Sequence, residues 1–216
     1  MQFLFRIFLV SILGFSGVYL CTASTQVPQA LEAANLKLEA TLLKEGRAVA
    51  IREGDLIPEF ALVSQNEQIV KISDFRGQPF VLNFIFTRCG VAEMCPASTQ
   101  RMVAMEKRAS ELGLESVQFV TISFDPVFDT PEILRNYAKA FGASEDRHWF
   151  LTYHRPEFID SLLYLFGILT REENGTINHT SATYLVDTEG RIALRQNGPN
   201  WSSEKFLARL EAWTEK

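Results

Sequence analysis

Cys89 and Cys95 stand in FIFTRCGVAEMCPAS, residues 84–98, where an apolar run ends and a proline follows. Two thiols with five residues between them can close a small disulfide ring, or they can place two sulfurs on one metal ion. Thiolate sulfur is soft and selects Cu(I), zinc or iron–sulfur clusters. A cluster wants four cysteines, and this chain has three. A third ligand would strengthen a single-ion site. Of the three histidines, His148, His154 and His179, the last precedes a β-type run in TINHTSATYLVD. A set of Cys89, Cys95 and His179 suits low-coordinate copper. Catalytic zinc also uses two cysteines and one histidine, but no general-base partner stands out here. The plain alternatives stay open: a structural disulfide between Cys89 and Cys95, an ordinary loop histidine at 179, and surface or hydrogen-bonded side chains at His148 and His154.

Elements must hold these residues. PFVLNFIF is a continuous apolar, β-rich run, as in a strand buried on both faces, and Cys89 follows it directly. ASTQRMVAMEKRASELG has helical spacing at Met102, Met105 and Leu112, with Gly113 at its stop. Pro96 suits a helix start, which puts Cys95 at or next to the N-cap, where the dipole favours thiolate. VQFVTISF is a second buried strand. It leads into DPVFDTPEILRNYAKAFG, a helix that Asp129 or Thr130 can cap and Gly142 can end. HWFLTY reads as a short strand and RPEFIDSLLYLFG as a helix. SATYLVD and RIALRQ flank a turn, and SSEKFLARLEAWTEK is an amphipathic helix with Phe206, Leu207, Leu210 and Trp213 on one side. GDLIPEFALVS and EQIVKIS read as an N-terminal β-hairpin. The order implies parallel crossovers in the middle and antiparallel edges: an α/β, thioredoxin-like three-layer sandwich with a central mixed sheet. Sites in such sheets gather at the carboxyl ends of strands, and the loop before the strand in TYLVD should face the cysteine segment. Asp125 and Asp129 read as turn and cap residues, and the Met and Phe positions as core.

The bulk numbers exclude little else. The 216 residues are 47% hydrophobic and 22% charged, with a net charge of −5 and no basic block, so nucleic acid is not an expected partner. MQFLFRIFLVSILGFSGVYL has one charge, Arg6, before an apolar run, and CTAS follows. That is the pattern of a secretory signal peptide over residues 1–23, with an uncleaved N-terminal anchor as the alternative. Residues 24–53 read as a polar lead-in, a helix or a loose arm, and 54–216 as the domain. Export to a periplasmic or other extracytoplasmic compartment would favour a disulfide unless something keeps the thiols reduced.

Several segments together resemble one family. FVLNFIFTRCGVAEMCP, VTISFDPVFDTPEILRNYAKAFG, HWFLT and NHTSATYLVDTEGRI are similar, in this order and spacing, to the Sco (SenC) family of thioredoxin-fold proteins. The resemblance covers about residues 54–214. It implies a copper-binding metallochaperone that assists assembly of a copper centre such as that of cytochrome c oxidase, with some members implicated in thiol redox. Its implied ligands are Cys89, Cys95 and His179, with Asp125 an acidic neighbour. The implied partner is a protein acceptor of copper or of reducing equivalents. The family spacer between the cysteines holds three residues and this one holds five, so the loop would have to bulge to leave both sulfurs in place. The other readings are a thiol–disulfide oxidoreductase, with Cys89 and Cys95 as the catalytic pair, and a module with a structural disulfide.

Overall fold

The computed structural model describes residues 29–44, 50–173 and 176–214. The expected signal peptide or anchor, and Cys21 with it, lie outside the described residues. Among those described, no helix is long and apolar enough to cross a membrane.

The elements follow the expected order. Helix α1 (Gln29–Lys44) precedes strands β1 (Ala61–Ser64) and β2 (Ile69–Lys71), a 3-10 turn (Ile72–Phe75), β3 (Phe80–Ile85) and α2 (Cys95–Glu111). Then come β4 (Gln118–Ser123), α3 (Pro131–Phe141), β5 (His148–Thr152), α4 (Pro156–Leu165), β6 (Thr170–Glu173) and β7 (Thr176–His179). The hairpin β8 (Ala182–Val186) and β9 (Ile192–Asn197) and helix α5 (Ser203–Thr214) close the chain. Seven described strands form one mixed sheet in the order β2-β1-β5-β4-β3-β8-β9. β3, β4 and β5 run parallel, while β8 and β1 join this centre antiparallel from either side.

Alternation along the central strands builds the layers. Phe80, Leu82 and Phe84 of β3 and Val120 and Ile122 of β4 share one cluster with Phe158, Ile159 and Leu162 of α4. Val81 and Phe119, on the opposite face, pack with Met102 and Met105 of α2 and with Phe206 and Leu210 of α5. Leu134 and Ala138 of α3 cover Phe150. The expected sandwich is therefore present, with the N-terminal hairpin at one edge. Thr130 caps α3 through its side chain, and Gly142 ends it at φ 71°, a left-handed position that glycine reaches without strain.

One segment sharpens the sequence expectation and another departs from it. The lead-in contains a docked helix: Asn35 of α1 is fully buried, donating to the Ala61 carbonyl at 2.8 Å and accepting from the Ala61 N–H at 2.9 Å. This covering explains why β1, although near one edge of the sheet, is buried at all four residues. The second is β6 with β7, a separate two-stranded antiparallel ribbon. The sequence reading puts His179 in a loop, because TREE holds no apolar residue and TINH only Ile177, and the described residues of the ribbon are exposed or at most half-buried.

Candidate metal centre

The site forms where three chain segments converge at one end of the sheet. Cys89 follows the carboxyl end of β3. Asp125 and Asp129 follow the carboxyl end of β4. β8 runs antiparallel to β3, with Leu82 opposite Tyr184, so the residues before β8 return to the same end. His179, at the end of β7, arrives there. A sulfur of Cys89, a sulfur of Cys95 and a ring nitrogen of His179 all lie within 4.8 Å of one another.

The five-residue spacer is absorbed by turns. Cys89 N–H bonds to the Phe86 carbonyl at 3.3 Å, and Met94 N–H bonds to the Val91 carbonyl at 3.0 Å. Met94 is the N-cap of α2 and Pro96 lies in its first turn, so Cys95 opens the helix as the sequence implied. Cys95 is 2% exposed and belongs to the main core cluster, while Cys89 packs against that cluster half-buried. Both are free thiols.

The expected electrostatics of Cys95 need correction. The helix start was expected to favour its thiolate. Instead burial pushes the thiol well up, a backbone hydrogen bond with Phe86 opposes this, and the charge of Cys89 adds to it. Removal from water outweighs the helix end because Cys95 is buried within the main core cluster.

His179 is held by rings and one carbonyl. Phe124 and Phe86 lie 4.7 and 5.8 Å from its ring centre. Nδ1 is 2.9 Å from the Thr180 carbonyl. A carbonyl only accepts, so Nδ1 carries the proton and donates. This leaves the Nε2 lone pair toward the Cys95 sulfur, 3.4 Å away. Burial lowers the pKa of His179, with the Thr180 hydrogen bond acting in the opposite direction. A neutral imidazole with Nε2 free is the form that binds metals.

The two aspartates brace the loops. Asp129, read as a turn or cap residue, is fully buried. It accepts from Thr87 N–H at 3.0 Å, from the Thr87 hydroxyl, and from the Ser123 hydroxyl at 2.5 Å. It thus ties the start of the cysteine loop to the end of β4. Burial raises its pKa, and the bonds from Ser123 and Thr87 lower it. Asp125 pairs with Arg88 at 2.5 Å, and that guanidinium lies 5.2 Å from the centre of the Phe128 ring. The role of Asp129 was legible only in part: once Thr130 is taken as the cap, a second acidic residue beside it needs another partner. Phe86 and Phe124 were read as core, and nothing in their types marks them as walls of a histidine slot.

His148 and His154 do not join the site. His148 is buried, with Nδ1 3.2 Å from Glu106 and Nε2 3.0 Å from Thr121. His154 is exposed, 3.6 Å from Glu32. Both match the plain reading.

The donor set fits a soft metal ion. Metal–sulfur bonds of about 2.3 Å, as at zinc, put two ligand atoms at most about 4.6 Å apart on one ion. The observed set needs only a small closing motion. Two sulfurs and one imidazole match Cu(I) or zinc, and the carboxylates nearby, Asp125 and Asp129, are already engaged by Arg88, Thr87 and Ser123.

Comparison with known proteins agrees with this geometry. The family model described as SCO1/SenC matches residues 49–215. A SCO1 protein homolog of Bacillus subtilis is 28% identical over 145 residues, 66% of this chain and 74% of the relative. The solved structure of a SCO1/SenC family lipoprotein from Bacillus anthracis superposes with a TM-score of 0.68 at 27% identity, over 76% of this chain and 98% of that one. Bradyrhizobium japonicum ScoI with copper bound superposes with a TM-score of 0.55 at 25% identity, over 73% of this chain and 99% of that one. Matched over most of its length, the chain belongs to the SCO1/SenC family.

Proposed function

We propose that this protein binds one copper ion through Cys89, Cys95 and His179 and passes it to an acceptor protein. The observation that carries the reading is the convergence of two sulfurs and one imidazole nitrogen within 4.8 Å. The copper-bound ScoI of Bradyrhizobium japonicum supports the choice of ion. The Thr180 carbonyl orients the imidazole, and Asp129 braces the loop that presents Cys89. Both thiols lose their protons on binding, so loading requires the reduced chain and releases protons. Release to an acceptor proceeds by exchange of one ligand at a time. Cys89, less buried than Cys95, is the sulfur that an incoming ligand reaches first. The acceptor we infer is a copper centre such as that of cytochrome c oxidase. The apolar stretch at residues 1–23 supports export, by a cleaved signal or an anchor, to an extracytoplasmic compartment.

Copper stoichiometry of the reduced protein tests this reading. We expect one tightly held ion. Cys89→Ser, Cys95→Ser and His179→Ala should each weaken it by more than about 100-fold, beyond the loss typical of an outer-shell partner. Unchanged affinity in His179→Ala would overturn the ligand set.

A second reading draws on the same pair of free thiols, which lie close enough to compete with copper by forming a disulfide. Burial of Cys95 reverses the expected order of reactivity, and Cys89 becomes the attacking thiol. Disulfide reduction of a test substrate that needs both cysteines and survives His179→Ala would favour this activity.

A further inference from the structure

Met94 immediately precedes Cys95 and caps α2 with non-helical backbone angles, φ −102° and ψ −110°. The spacer residues before it, Gly90 to Glu93, are exposed, whereas Met94 is half-buried. Met102 and Met105, by contrast, are sealed in the core of α2 at 0% and 1% exposure. Met94 and His179 line the same open cavity of about 430 Å³, with Leu169, Thr180 and Pro199. A thioether and an imidazole therefore share one opening to solvent beside the metal centre.

The placement has a chemical consequence. Cys95 is almost wholly buried, so an ion coming from water meets other groups before it meets this sulfur. A thioether is soft and neutral and needs no proton loss to bind, so it takes Cu(I) in preference to Cu(II). Leu169, 62% exposed, gives the same opening an apolar lip that disfavours hydrated divalent ions.

We propose that the Met94 thioether is an additional Cu(I) donor at the mouth of the site, paired with His179, from which the ion moves to the buried Cys95 sulfur. The inference rests on Cys89, Cys95 and His179 being the copper ligands. In the transfer one copper–thioether bond breaks and one copper–thiolate bond forms. The Cys95 thiol proton passes to water. Copper stays Cu(I), so no oxidant or reductant is consumed.

The test uses the reduced protein carrying ¹³C-methyl methionine, titrated with Cu(I) held by a colorimetric chelator. The Met94 methyl resonance, assigned with Met94→Leu, should shift on Cu(I) addition to the Cys95→Ser variant, in which the ion cannot move on, while those of Met102 and Met105 stay in place. Met94→Leu is close to volume-conserving and should retain the fold. It should take Cu(I) from the chelator about 10-fold more slowly, to the same final occupancy. Cu(I) bound by Cys95→Ser with an unmoved Met94 methyl overturns this inference alone. No Cu(I) uptake by the wild-type chain overturns the three-ligand reading and this one together.

Discussion

At the scale of single residues, the centre depends on side chains that never touch the ion. Asp129 is the clearest case, because three donors from Thr87 and Ser123 converge on its buried carboxylate. An amide of the same size offers one acceptor oxygen and turns an NH2 group toward donors. Asp129→Asn should therefore cost about 1.5–3 kcal/mol, the range for hydrogen bonds to charged groups, read by urea denaturation. It should also weaken copper binding by about 10-fold, because the loop entering Cys89 loses its brace. His179 illustrates the same principle with a neutral partner: the Thr180 carbonyl decides which nitrogen carries the proton.

At the scale of elements, two pieces hold the site end of the sheet. The β6–β7 ribbon carries His179 on its last residue, and Thr180 N–H bonds back to the Leu169 carbonyl at 2.9 Å. The ribbon is thereby fastened at its base beside β8. Helix α1 covers β1 and packs on α4, and Asn35 is its anchor to the sheet. Asn35→Leu would leave the Ala61 N–H and carbonyl buried without these partners. We expect a loss of about 2–6 kcal/mol, from two orphaned groups at about 1–3 kcal/mol each. Hydrogen exchange should show α1 amides losing protection well before the central strands, since undocking lets water reach Ala61.

At the scale of the whole molecule, a polar chain crosses the layer between the sheet and α2. Glu106 meets His148, His148 meets Thr121, and Thr121 donates to Asn83 at 2.7 Å. Asn83 in turn donates to Ser98 at 3.1 Å, and the Trp201 indole donates to the same hydroxyl at 3.4 Å. Burial lowers the pKa of His148, and Glu106 raises it in partial compensation. The unfolded chain therefore takes up a proton near pH 6.5 that the folded chain refuses until lower pH. Stability from this residue is full above about pH 6.5. It falls as pH drops toward the folded pKa, by up to about 1.4 kcal/mol per pH unit. His148→Gln keeps an amide donor for Glu106 but does not titrate. The urea midpoint of the metal-free protein should fall less steeply in this variant between pH 7 and 5.5.

The sequence by itself determined the layers, because apolar runs at PFVLNFIF and VQFVTISF and helical spacing at Met102, Met105, Phe206 and Leu210 leave few ways to bury their faces. It also determined the candidate ligands, since thiols and an imidazole are few and sit at strand ends. Three things needed the tertiary structure. The β6–β7 ribbon escaped notice because Ile177 is the single apolar residue among its described positions; Asn174-Gly175, outside the described residues, was the one hairpin signal in its sequence. The docking of α1 joins Leu38 and Leu42 on the core and Glu39 on Arg155 to an asparagine reaching a strand 26 residues away, a pairing no local pattern displays. The state of Cys95 turns on a balance that no motif displays. A helix start favours the thiolate and burial favours the thiol, and only the packing above that sulfur shows that burial dominates.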